Sequence, residues 1–220
     1  MIAVEMEELA FQHLRDEFWR RMIPALFAAH KSAHDATYAE FERPEADDLL
    51  GFTRRAKVEA NLRGAAGLFS DVMTVENVKA RKGPWNHVEV HSGPVVLTAS
   101  TVTNPGDMVE KAEFRESLAF ETNTLRLDLE GDSQADPESR LLYAILLHSR
   151  FRTIRTEDHR YGYLPGSAYL AFPNKDCDHY LHTVNLFDRY ASVVDRLMPQ
   201  EWDAEAHVRY FHNARRFAAA

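Results

Sequence analysis

The 220-residue chain carries 34 acidic against 26 basic side chains, a formal net charge of −8, and 45% of its residues are hydrophobic. That balance fits a folded chain with a substantial core and argues against sequence-independent nucleic-acid binding, which sets many Lys and Arg against phosphates. The single cysteine, Cys177, excludes an intramolecular disulfide, no apolar run approaches the roughly 18 to 20 residues of a membrane span, and the acidic N-terminus lacks a secretory-signal pattern; the expectation is a cytoplasmic protein with no membrane partner.

Residues 3 to 38 carry Leu9, Phe11, Leu14, Phe18, Met22, Leu26 and Phe27 at spacings near three and four, which predicts a helix with one buried stripe. Pro24 should kink or split it. An acidic connection with Pro44 follows, and Asp47 and Asp48 are placed to cap a helix over 48–64. Its apolar positions are Leu49, Leu50, Phe52, Ala56, Val58 and Leu62, and Arg54, Arg55, Lys57 and Arg63 make it basic. A further short helix is expected in SDVMTVENVKA, stopped by Lys82, Gly83 and Pro84.

Residues 86–102, NHVEVHSGPVVLTASTV, form the longest strand-like stretch, broken by Gly93 and Pro94. Alternation puts Val88 and Val90 inward and His87, Glu89 and His91 on the other, outward face. A turn at 104–107 precedes a short helix over 108–120 with Val109, Ala112, Phe114 and Leu118 inward. Strict alternation predicts a strand over 124–130. The apolar run 141–149 fits a strand or a buried helix, and its length favours a strand. A polar loop from 150 to 166 leads into a strand over 167–173. A helix is predicted over 178–197 with Leu181, Val184, Phe187 and Val194 buried, and a last one over 201–217.

The expected fold class is therefore α+β: a central mixed or antiparallel sheet of about four to five strands with helices at both ends of the chain. The chain reads as one domain, 1–220, with a helical part (1–84), a sheet core (85–175) and C-terminal helices (176–220). No glycine-rich phosphate loop follows a strand, so neither the dinucleotide nor the Walker fingerprint is present.

Two groups of residues are singled out. His87, Glu89 and His91 are ligands of the type that hold Zn, Mn or Fe; the bland alternative is the polar solvent face of an edge strand. Arg152, Arg155, Arg160, Tyr161 and Tyr163 combine arginine with aromatics, the mix enriched at interfaces and on base-stacking surfaces. His30 and His34 share a helix face but read more simply as surface or hydrogen-bonded residues. Asp176, Asp178, His179 and His182 read as a helix start with capping aspartates. Cys177 lies between two aspartates, a field that disfavours the thiolate.

The expected function is that of a binding or regulatory protein acting by contact, with a protein partner or a second copy of the chain favoured over nucleic acid. The alternatives are a metal-dependent hydrolase or nuclease using the His87 row, and a small-molecule sensor with a pocket between sheet and helices. No cofactor is called for beyond a possible divalent metal at His87, Glu89 and His91.

Overall fold

The computed structural model describes residues 3–79, 86–104, 106–122, 141–150 and 162–199. Six helices and six strands fall within them: α1 (Ala3–His13), α2 (Asp16–Glu40), α3 (Glu45–Gly67), β1 (Thr74–Lys79), β2 (Asn86–Ser92), β3 (Val95–Thr101), α4 (Glu113–Thr122), β4 (Leu142–Arg150), β5 (Pro165–Pro173), β6 (Tyr180–Asn185), α5 (Leu186–Arg189) and α6 (Ala191–Leu197). The fold is α+β, as expected, with a sheet one strand larger than the upper estimate. No helix among the described residues is long and apolar enough to cross a membrane.

The strands lie in chain order, β1-β2-β3-β4-β5-β6. Every neighbouring pair is antiparallel except β3 and β4, which run parallel with Val95 opposite Leu142 and Thr101 opposite His148. A parallel pair needs a crossover connection, and α4 lies in it. The connection between β2 and β3 turns at Gly93, whose φ of +53° suits glycine and where a Cβ would strike the His13 ring.

One face of the sheet packs on α1, α2 and α3 together with α5 and α6. Val88, Val90, Leu97, Ala144, Leu146, Leu170 and Phe172 meet Leu14, Phe18, Trp19, Met22, Leu26, Val58, Leu62 and Phe187 in the larger core cluster. The other face is covered by α4 and its approach: Val96, Tyr143, Ile145, Leu147, Tyr169 and Ala171 pack with Val109 and Ala119. Strands buried on both faces read as continuous apolar runs rather than alternating ones. That is why 141–149 resisted assignment from pattern alone; it is a strand, with Leu142 to Ser149 all buried.

Several sequence expectations are corrected. The stretch read as a short helix before residue 82 forms β1, paired along its whole length with β2 from Thr74 opposite His91 to Lys79 opposite Asn86; Thr and Val favour an extended backbone, and the neighbouring strand supplies its hydrogen bonds. A strand thus lies inside the part expected to be helical. The helix predicted over 178–197 begins instead as β6, and only at Leu186 does the backbone turn helical, where the Asn185 side chain accepts hydrogen bonds from the backbone N–H groups of Phe187 and Asp188 at 3.0 and 3.3 Å. Phe187 and Val194 are buried as expected, whereas Leu181 and Val184 are half-buried. In the first helical region the break falls at Leu14 and Arg15, and Pro24 lies inside a continuous α2. Helix α3 starts at Glu45, so Asp47 and Asp48 occupy its first turn, where carboxylates complement the dipole, rather than its cap. Helix α4 starts at Glu113, later than expected, and turns Arg115 and Ala119 inward. The strand expected over 124–130 and the helix expected over 201–217 lie outside the described residues.

Candidate functional site

The parallel pair β3–β4 brings Thr101 and His148 side by side at the end of the sheet, and α2 and α3 close over that end. Three polar side chains are buried there among apolar ones: His30 from α2, Arg54 from α3 and His148 from β4. Ligands in open α/β sheets gather at the carboxyl ends of parallel strands, and this is that end of β3 and β4.

The two histidines touch. His30 Nε2 lies 3.1 Å from His148 Nδ1, the rings edge to face at 5.1 Å and 76°, and His148 Nε2 lies 3.3 Å from the Thr101 hydroxyl. Burial and the nearby Arg54 charge push His148 down to about 3. Burial first, then His148 and Arg54, hold His30 well below its ordinary range while the Leu164 backbone opposes weakly. Both rings are therefore neutral near pH 7. Each neutral ring carries one N–H, so the pair forms a single chain of hydrogen bonds through Thr101, His148 and His30 whose direction is set by the tautomers, and His30 Nδ1 has no hydrogen-bond partner among the described residues.

Arg54 is different. Its residue is only 3% exposed, yet its Nε and Nη2 have no hydrogen-bond partner. Burial lowers its pKa to about 10, and the charge of Arg150 adds to the lowering. No carboxylate among the described residues acts on it; the opposing influence is the Tyr38 phenol. Tyr38 in turn donates its hydroxyl to Asp47, and Arg43 lies over its ring at 5.5 Å. A buried guanidinium is ordinarily paired, so this one stands out.

Tyr163 is the described member of the predicted interface group. It lies beside this site, its ring 6.1 Å from His34 and approached by Lys31 Nζ at 5.3 Å. Arg152, Arg155, Arg160 and Tyr161 lie outside the described residues, but the flanking Arg150 and Tyr163 both border the cluster.

The His87 row is on the opposite face of the sheet. The structure brings its three side chains together: His87 Nε2 is 2.7 Å from Glu89 Oε1 and His91 Nε2 is 3.3 Å from Glu89 Oε2. The row is not a solvent face, contrary to the outward placement expected, because α4 covers it. Glu89 is 7% exposed and His87 3%, with the His87 ring stacked on Phe114 at 3.7 Å. Nor is β2 an edge strand, since β1 lies outside it. The hydrogen bond from His87 holds the Glu89 carboxyl below its usual range against its burial. Among the described residues no group of three His, Cys, Asp or Glu side chains is arranged to hold a metal ion.

The remaining candidates are dispersed. His179 pairs with Asp178 at 2.6 Å in an exposed turn, and the Asn174 side chain accepts from the backbone of both. His182 lies on the other side of the sheet, 3.0 Å from Glu7 of α1. Cys177 is buried, and burial, then Glu116, raises its thiol pKa; it does not precede a helix, so no dipole activates it.

The site missed in the sequence is the His30–Arg54–His148 cluster. Its one local signal was a histidine at the end of an otherwise apolar run, LLYAILLHS. No protein-family model matches the chain, and neither a curated protein nor a solved structure is significantly similar to it.

Proposed function

We propose that this protein is a small-molecule sensor: a binding protein whose ligand is seated where α2 and α3 cover the end of β3 and β4, and whose surface beside that seat carries the response to a partner. The observation that carries the reading is Arg54, a cation 3% exposed with two nitrogens unpartnered. A buried polar group without a partner costs about 1 to 3 kcal/mol, and more when charged. A fold retains such a group when something else completes it. Arg150 and Tyr163 at the rim connect the seat to the arginine- and tyrosine-rich residues 150–163, the stretch whose composition suits contact with a protein partner or a second copy of the chain.

The test is a thermal-shift screen of metabolite-sized compounds, neutral, cationic and anionic, on the wild type and on Arg54→Met. A ligand that binds only the folded state at 100 times its Kd stabilises by about 2.7 kcal/mol, which for a chain of this size is a shift on the order of 5 to 11 °C. The expected result is at least one compound that raises the wild-type midpoint by such an amount and leaves the variant unmoved. A screen in which no compound acts through Arg54 overturns the reading.

A further inference from the structure

We infer that the ligand of the Arg54 seat is a small molecule bearing a doubly charged oxyanion, a phosphate monoester, held end-on with its anionic group inward. The inference rests on the sensor reading above and names the chemistry of the same seat.

Three observations lead to it. The first is which nitrogens are free. Nε and Nη2 share one edge of the planar guanidinium, the edge that presents two parallel N–H donors to two oxygens of a carboxylate, phosphate or sulfate. A neutral carbonyl ligand would use one donor and leave the other buried and unmet. The second is charge. Arg54 and Arg150 lie in each other's field, and the neighbouring histidines are held neutral by burial, so they neither add to that charge nor offset it. The one carboxylate acting on Tyr38 among the described residues, Asp47, is committed to the Tyr38 hydroxyl. A monoanion offsets one of the two guanidiniums; a dianion offsets both.

The third is access. Arg54 lies beneath the surface while Arg150 is exposed at the end of β4. A terminal phosphate reaches a buried edge with one P–O bond leading out, whereas a phosphodiester backbone has substituents on two sides and carries one charge per phosphate. The seat therefore fits a small phosphorylated molecule better than a nucleic acid, in keeping with the net charge of −8.

The experiment is calorimetric titration of the full chain at pH 8 and constant ionic strength. The dianionic probes are inorganic phosphate, sulfate and phenyl phosphate; the monoanionic ones are acetate, benzoate and dimethyl phosphate. The variants are Arg54→Lys, Arg54→Met and Arg150→Gln. The expected result is that dianions bind the wild type more tightly than monoanions of similar size, and that Arg54→Lys, which keeps the charge but loses the paired donors, weakens them by roughly tenfold or more. Arg150→Gln should narrow the preference for dianions while leaving monoanions nearly unchanged. Arg54-dependent binding of benzoate or a neutral compound, with phosphate and phenyl phosphate inert, overturns the dianion assignment and leaves the sensor reading standing. A counter-ion from the chain itself overturns both. In that case Arg54→Met would lower the anion-free midpoint, and no probe would bind. With Arg54→Lys folded and titratable, the comparison does not depend on the methionine variant folding.

Discussion

The histidine pair predicts a specific acid sensitivity. His148 is completely enclosed and its pKa falls from 6.5 in the unfolded chain to about 3. Below pH 6.5 the unfolded chain takes up a proton that the folded one refuses, so stability is fully present above that value and falls as pH drops toward 3. The slope across the window is about 1.4 kcal/mol per pH unit, which gives about 2 kcal/mol lost by pH 5 from His148 alone. His30 is shifted in the same direction and adds a loss of the same sign. Against a typical total of about 5 to 15 kcal/mol, that is a large fraction. The assay is urea denaturation at pH 7.5, 6.0 and 5.0, followed by circular dichroism, for the wild type and for the double variant His30→Leu, His148→Leu. The wild type should lose at least about 2 kcal/mol more than the variant between pH 7.5 and 5.0, because replacing both partners with apolar groups removes the titration without stranding either ring. Equal pH dependence in the two proteins would refute the burial of a neutral pair.

Two further outcomes are expected. Glu89→Ala should destabilise by about 1 to 3 kcal/mol, measured by the same denaturation at pH 7, because it leaves His87 Nε2 buried without its partner. Since the Glu89 carboxyl is held below its ordinary 4.5, its contribution is present above that value and fades only as pH falls through the lower folded one, a window more acid than that of the histidines; an unchanged midpoint would show the pair to be idle. Phe187→Ala should cost about 3 to 5 kcal/mol, since the ring is wholly buried with its centroid 5.6 Å from that of Phe27, and a thermal midpoint that does not move would show that the ring is not core.

The elements legible in the sequence are those whose pattern had one interpretation. Strand β2 alternates, β5 is a short apolar run bounded by Pro and Gly, and the α2 stripe has helical spacing over several turns. The misread elements carry two periods at once. In DVMTVENVK, Val72, Val75 and Val78 recur every three residues and imitate a helix, yet β1 forms because β2 offers a ladder to pair with; tertiary pairing overrides a weak local preference. In HYLHTVNLFDRY apolar residues recur at similar spacing from strand into helix, and the boundary is marked only by Asn185, a cap whose role depends on the residues on both sides of it.

The functional residues were harder to read for a different reason. Alternation correctly put His87, Glu89 and His91 on one face, but it cannot tell whether that face meets water; the crossover that makes β3 and β4 parallel places α4 over it, and His87 and Glu89 become a buried pair. The same crossover aligns Thr101 with His148 and delivers both to the end of the sheet covered by α2 and α3. His30 and His148 are 118 positions apart, and Arg54 stands in a helix where Arg55, Lys57 and Arg63 make one more cation unremarkable. Burial separates Arg54 from those neighbours: Arg55 reaches Glu59 at 3.1 Å and Arg63 reaches Asn77, whereas Arg54 is buried and acts electrostatically on two neutral imidazoles. A helix that only needed charge for solubility would keep its arginines outside. Directing one inward, where no carboxylate among the described residues acts on it and both neighbouring imidazoles are kept neutral, leaves a cation at low dielectric, where interactions with an opposite charge are strengthened.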